Sequence, residues 1–196
     1  MLRRPVLVTL SLAAALSLSA CAQGGSGSTT PPGTGDSAPT SESNAADPAL
    51  KVEAPLNLKA VSDGCQLLTD GQLAQLGGGG APTPFDTEWG QKGCTWTNDA
   101  VVIEVAPDSK QGGGFSRIQR NKNSFLTYAE TKVANYPAAR VNQAELLCGV
   151  AAGVSDEDTV LVSVTRYNSD APQHADPCAF AEKVFTEVIK NIPPQS

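Results

Sequence analysis

Five cysteines and a single histidine are the side chains of this 196-residue chain best suited to nucleophilic, redox or metal chemistry. His174 stands alone in the stretch Asp170–Asp176. A Ser/His/Asp arrangement needs it beside an activated serine, and the chain has no G-x-S-x-G turn. A solvent-exposed loop histidine is therefore expected. No two cysteines are spaced as CxxC, which argues against both a redox dithiol and a four-thiolate metal site. Asp156, Glu157 and Asp158 could meet a cation, but they lack the glycine and distal glutamate of an EF-hand loop and read as a solvated turn. The glycine run Gly77–Gly80 is not followed by Gly-Lys-Ser/Thr, so it is not read as a phosphate cradle. No catalytic residue, metal or cofactor is expected.

Cys21 differs from the other four in what precedes it. Arg3 and Arg4 form a basic start, and Val6–Leu18 is an apolar run broken only by Thr9, Ser11 and Ser17. That run is the length of a signal-peptide core and falls short of the roughly 20 residues of a membrane-spanning helix. It ends in Leu18-Ser19-Ala20-Cys21. This order looks like a bacterial lipobox, in which the cysteine sulfur receives a diacylglyceryl group and the signal is cut away before it. Residues 1–20 are therefore expected to be a lipoprotein signal peptide, with Cys21 as the lipidated mature N-terminus. Two acyl chains bury enough methylenes, at about 0.8 kcal/mol each, for stable anchoring. Residues 22–54 are rich in Gly, Ser, Thr and Pro, with alanine as almost the only hydrophobe. Such a segment cannot offset its ordering entropy and reads as a tether reaching roughly 30 Å. A glycosylated stalk is the rival reading of 21–54.

The folded part is then residues 55–196, the size of one ordinary domain. The whole chain carries 14 basic and 20 acidic residues; removal of Arg3 and Arg4 with the signal leaves a net of −8. That balance argues against nucleic acid as a partner and against charge-driven binding to anionic headgroups. Cys65, Cys94, Cys148 and Cys178 form an even set in an exported chain and read as two disulfides. Of the three pairings possible, Cys65–Cys94 with Cys148–Cys178 is favoured, each closing a loop of about 30 residues worth roughly 3 kcal/mol.

Local signals give the elements. Thr69-Asp70-Gly71-Gln72 is a capping box opening a helix, with Leu73 and Leu76 on one face and Gly77 suited to the left-handed stop. Cys94–Thr97 alternates as a half-buried strand, and Val101–Val105 follows it as a hairpin partner across Asn98-Asp99. Phe115 and Ile118 have the spacing of a short helix. Lys132–Val141 is read as extended, with Pro137 marking a kink or an edge position. Glu145–Ala151 and Thr159–Tyr167 read as strands. Asp176 is a good N-cap, Pro177 fits the first helical position, and apolar residues from Phe180 to Ile192 recur at steps of three and four until Pro193-Pro194. The expected fold is α+β, an antiparallel sheet flanked by N-terminal and C-terminal helices and covered on one face.

These landmarks occur in a particular order. Cys65–Leu73 comes first, then Gly93-Cys94-Thr95-Trp96 and Tyr136-Pro137-Ala138-Ala139; a lone Cys148 precedes a valine-rich strand, and Asp176-Pro177-Cys178 opens the last helix. The order resembles that of the actinobacterial lipoproteins grouped as domain of unknown function 3558, over about residues 60–194. The resemblance implies a cell-envelope lipoprotein with an α+β domain and brings no catalytic residues with it. Tyr136 stands where the family's Gly-x-Pro-Ala stretch has glycine, which leaves the local turn open.

Candidate binding residues are Trp89, Arg166, Tyr167 and His174. Trp89 lies in Phe85–Gly90, read as a loop, where it is either an exposed anchor or a core-packing residue. Arg166 and Tyr167 leave a strand toward His174, a second place where polar groups could gather. The leading expectation is a non-enzymatic module, held on the extracytoplasmic face of the cell membrane by its lipid anchor, that binds an envelope protein or small ligand. A lipid or glycolipid carrier requires an apolar cavity between the sheet and the last helix. A hydrolase requires a serine or carboxylate within reach of His174 in a cleft.

Overall fold

The structure is a computed structural model that describes residues 50–167 and 171–196. The expected signal peptide, Cys21 and all but the end of the expected tether lie outside the described residues. Among the described residues, seven strands form one antiparallel sheet: β1 (Thr83–Asp86), β2 (Lys92–Thr97), β3 (Val101–Asp108), β4 (Tyr128–Val133), β5 (Tyr136–Val141), β6 (Leu147–Gly153) and β7 (Thr159–Arg166). Their spatial order is β1-β2-β3-β7-β6-β5-β4. Three α-helices accompany them: α1 (Asp70–Leu76), α2 (Gly114–Arg120) and α3 (Pro177–Val188). None is long and apolar enough to cross a membrane.

The helix ends follow their sequence signals. Thr69 and Gln72 close the capping box reciprocally, and Gly77 stops α1 at φ 66°. The Asp176 carboxylate accepts the backbone N–H groups of Cys178 and Ala179 at 2.9 and 3.1 Å, with Pro177 in the first turn. Strand parity then divides the sheet into two faces. Cys94, Trp96, Val101, Ile103, Val105, Val150, Ala152, Val160, Val162 and Val164 point toward α3 and meet Phe180, Ala181, Val184, Phe185 and Val188 in one buried cluster. Leu73 and Leu76 of α1 join the same layer. Burying these side chains, at about 1.5–3 kcal/mol each, is the main force holding α3 on the sheet. Both expected disulfides are present, Cys65–Cys94 and Cys148–Cys178. The second staples the first turn of α3 to β6.

Several expectations need correction. Leu50 packs against the α2 cluster, Val52 is buried in the main core, and the Ala54 carbonyl accepts the Tyr136 hydroxyl at 2.9 Å. The folded body therefore begins before residue 55, because the few apolar residues at the end of the expected tether find sites on the sheet. The sheet is also covered on both faces: Phe115 and Ile118 of α2 pack with Ala139, Val141 and Ala151 on the side away from α3. Finally, Phe85 and Asp86, expected in a loop, belong to the edge strand Thr83–Asp86. It lacks apolar alternation, and Pro84 is tolerated at the edge of a sheet.

Pro137 is neither a kink nor on an edge. It pairs with Lys132 of β4, while the ladder to β6 starts one residue later at Ala138, so its missing N–H costs no bond there. The turn before Tyr136 is made by Ala134 and Asn135 at φ 49° and 70°; with Pro137-Ala138 as its Pro-Ala, the Gly-x-Pro-Ala pattern puts its glycine at Asn135 and not at Tyr136, and Asn135 takes the left-handed conformation without it.

In the β6–β7 turn Ser155–Asp158, Asp156 and Glu157 are exposed as expected of a solvated turn, while Asp158 is buried. Asp156 accepts the Val52 N–H at 3.3 Å, Glu157 accepts the Gly113 N–H at 2.9 Å, and Asp158 is 2% exposed. Burial raises the Asp158 pKa above its ordinary 3.8, opposed by a Ser155 hydrogen bond and the charge of Lys59. A carboxyl with a raised folded-state pKa binds its proton more tightly when folded. Stability therefore falls as pH rises from the ordinary carboxylate value through the raised one. Asp158→Asn lacks this slope. Its melting temperature is expected to rise relative to the wild type as the pH climbs above the ordinary carboxylate value of about 4; parallel melting profiles would refute the assignment.

Candidate functional site

The four candidate binding residues do not converge. His174 is 1% exposed, not in solvent as expected. Its Nε2 lies 3.1 Å from the Leu76 carbonyl at the end of α1, and its ring meets Phe180 edge-on at 4.4 Å. Nδ1 has no hydrogen-bond partner among the described residues. Stacking on Phe180 and closing the last turn of α1 draws the imidazole inward, so it packs as a core residue. No serine or carboxylate among the described residues is within hydrogen-bond reach of it.

Arg166 shares the α3-facing parity of Val160, Val162 and Val164 and pairs with Val101, where β3 begins. Its Nε is buried without a partner among the described residues. Tyr167 is 47% exposed just beyond β7, with its N–H donated to the Ala100 carbonyl at 2.9 Å. Trp89 is half-buried at the opposite end of β3, where its indole N–H donates to the Pro107 carbonyl at 2.8 Å.

Around Trp89 the sheet carries a groove of about 270 Å³ on the face away from α3. Glu104 and Ala106 of β3 and Leu161 and Ser163 of β7 make its floor, and Phe85–Trp89 makes its wall. The floor is set by register: Glu104 lies opposite Ser163 and Ala106 opposite Leu161. These residues have the parity that faces away from the main core; the α2 cluster covers β5 and β6 on this face and reaches β7 only at the side of Leu161. The strip over β3 and β7 is thus left open.

The wall is held rigidly. Within the β1–β2 loop the Thr87 hydroxyl donates to the Gln91 carbonyl at 2.7 Å and accepts the Gln91 N–H at 3.0 Å. The Gln91 side chain in turn accepts the Ser109 N–H at 2.9 Å just past β3. The tip of the Phe85 ring lies at the spot a Cβ on residue 93 would occupy, so a side chain at 93 would displace the ring. Two aromatic rings are therefore fixed beside an open floor before any ligand arrives, which lowers the ordering cost of binding.

The groove is acidic in its charged groups. Asp86, Glu88 and Glu104 are its charged lining residues. Lys92 pairs with Asp86 at 2.6 Å, and Thr95 bonds Glu104 at 3.5 Å. No group of three or more His, Cys, Asp or Glu among the described residues is placed to hold a metal ion. Sequence reading found Trp89 but missed Phe85, Glu104, Ala106, Leu161 and Ser163. The signal was present in β3 and β7, where Glu104 interrupts Ile103 and Val105, and Leu161 and Ser163 alternate with buried valines. The groove is not legible in the sequence alone because its wall lies in Phe85–Gly90, which has no apolar alternation and reads as loop.

No curated protein and no solved structure shows a significant match to the chain. The profile of the family described as "Protein of unknown function (DUF3558)" matches residues 16–191, a span that takes in every element described above, and the chain belongs to that family.

Proposed function

We propose that this protein is a non-enzymatic binding module, anchored through lipidated Cys21 on the extracytoplasmic face of the cell membrane, whose working surface is the Phe85–Trp89 groove. The observation that carries the reading is the rigid pair of half-buried aromatics beside an open sheet strip. Neither ring is part of the main core, so packing on α3 does not account for their placement. The two disulfides are at home in an oxidising compartment, which supports export. The Leu18–Cys21 motif supports acylation. Against a lipid carrier stands the filled layer between sheet and α3, where Val150, Val160, Val162, Val164, Val184 and Phe185 are fully buried. Against a hydrolase stands the burial of His174.

Photo-cross-linking in intact cells tests the groove. A photoreactive residue replacing Glu88 on the groove wall is expected to give a light-dependent adduct of defined mass. The same residue at Lys183, on α3 on the other side of the sheet, is expected to give none. Identical adducts from both positions, or none from 88, would contradict the reading.

A further inference from the structure

Resting on the groove reading, we infer that the groove receives a basic side chain, an arginine or lysine presented by a partner polypeptide. All three charged residues lining it are acids. Asp86 is neutralised by Lys92, which leaves Glu88 and Glu104, both exposed, flanking Trp89 without a cationic partner among the described residues. The Trp89 indole N–H is committed to Pro107, so what the ring offers a ligand is its π face. An aromatic face beside carboxylates attracts a guanidinium or ammonium group. The floor at Ala106 and Leu161 is apolar and suits the methylene stem that such a side chain carries. At about 270 Å³ the groove is smaller than the usual pocket for a drug-sized molecule and is of a size for one inserted side chain. The net charge of −6 for the whole chain steers a basic partner toward it.

The test uses the full mature chain with disulfides intact and Cys21→Ser to keep it in solution. The probes are the peptide acetyl-Gly-Leu-Arg-Leu-Gly-amide and its twin with citrulline, the neutral isostere, in place of arginine. The readout is the indole N–H resonance of Trp89, which is distinguished from that of the buried Trp96 by its absence in Trp89→Phe. The arginine peptide is expected to shift the Trp89 resonance saturably, and the citrulline twin to bind about tenfold more weakly. Glu104→Gln is expected to weaken the arginine peptide about fivefold and leave the citrulline twin unchanged, since only charge is removed. Equal affinity for the two peptides overturns the inference while leaving a groove that binds neutral chains. No shift with either peptide, together with an adduct from position 88 in cells, also overturns it and points to a neutral ligand such as a sugar. No shift and no adduct overturns both readings.

Discussion

Asp108→Ala is expected to lower the unfolding free energy by about 3–4 kcal/mol, the cost of breaking a buried ion pair from one side. Asp108 closes β3 and is 3% exposed. One oxygen accepts the backbone N–H groups of Lys110 and Gln111, both at 3.0 Å; the other accepts the Gln111 amide and the Arg117 guanidinium. Arg117 also bonds the Gly112 carbonyl at 3.0 Å and the Thr159 hydroxyl at 3.1 Å. The carboxylate thus fixes the loop after β3, the start of α2 and the first residue of β7 together. Alanine would remove four acceptor contacts and leave the Arg117 charge largely buried and unpaired. The double replacement Asp108→Leu with Arg117→Met takes out both charges and is expected to cost about half as much or less. Guanidinium unfolding at constant m-value measures both. A loss below about 1 kcal/mol for Asp108→Ala would show that the network does not hold α2 in place.

The second large effect is expected from the double replacement Cys148→Ala with Cys178→Ala, at about 3 kcal/mol and a fall in melting temperature of roughly 6–10 °C. The bond spans 30 residues and both sulfurs lie in the core, at 0% and 1% exposure. The Cys65–Cys94 bond spans 29 residues, so the chain-entropy term is nearly the same. The two differ in what each holds. Cys178 lies in the first turn of α3, next to the Asp176 cap. Hydrogen exchange should therefore show faster opening of the α3 N-terminal turn in the Cys148/Cys178 variant and not in the Cys65/Cys94 variant. Equal protection of that turn in both would assign the stapling to packing alone.

What the sequence disclosed, it disclosed through local chemistry. The capping box at Thr69, the Asp176-Pro177 start of α3 and the alternating valines of β7 each specify their element within a few residues, and each stands as read. The disulfide pairing is legible from the even count, the expected export and the loop length. The unread parts depend on distant contacts. β1 carries no alternation, and its strand character comes from pairing with β2 across Phe85 and Gly93. His174 reads as a polar loop residue because its burial is set by Leu76 and Phe180, neither adjacent in sequence. The second face of the sheet was hidden for the same reason: α2 covers it in part, and no periodicity says which strands a short helix will choose. The groove lies where that cover ends.

The central claim is that this disulfide-stapled body works outside a bilayer to which Cys21 holds it. The intact mass of the protein extracted from membranes tests it most directly. The account predicts a chain that begins at Cys21, carries a diacylglyceryl group on that residue, and has its four remaining cysteines oxidised in two bonds. A chain that begins at Met1, or that bears an unmodified Cys21, would contradict it.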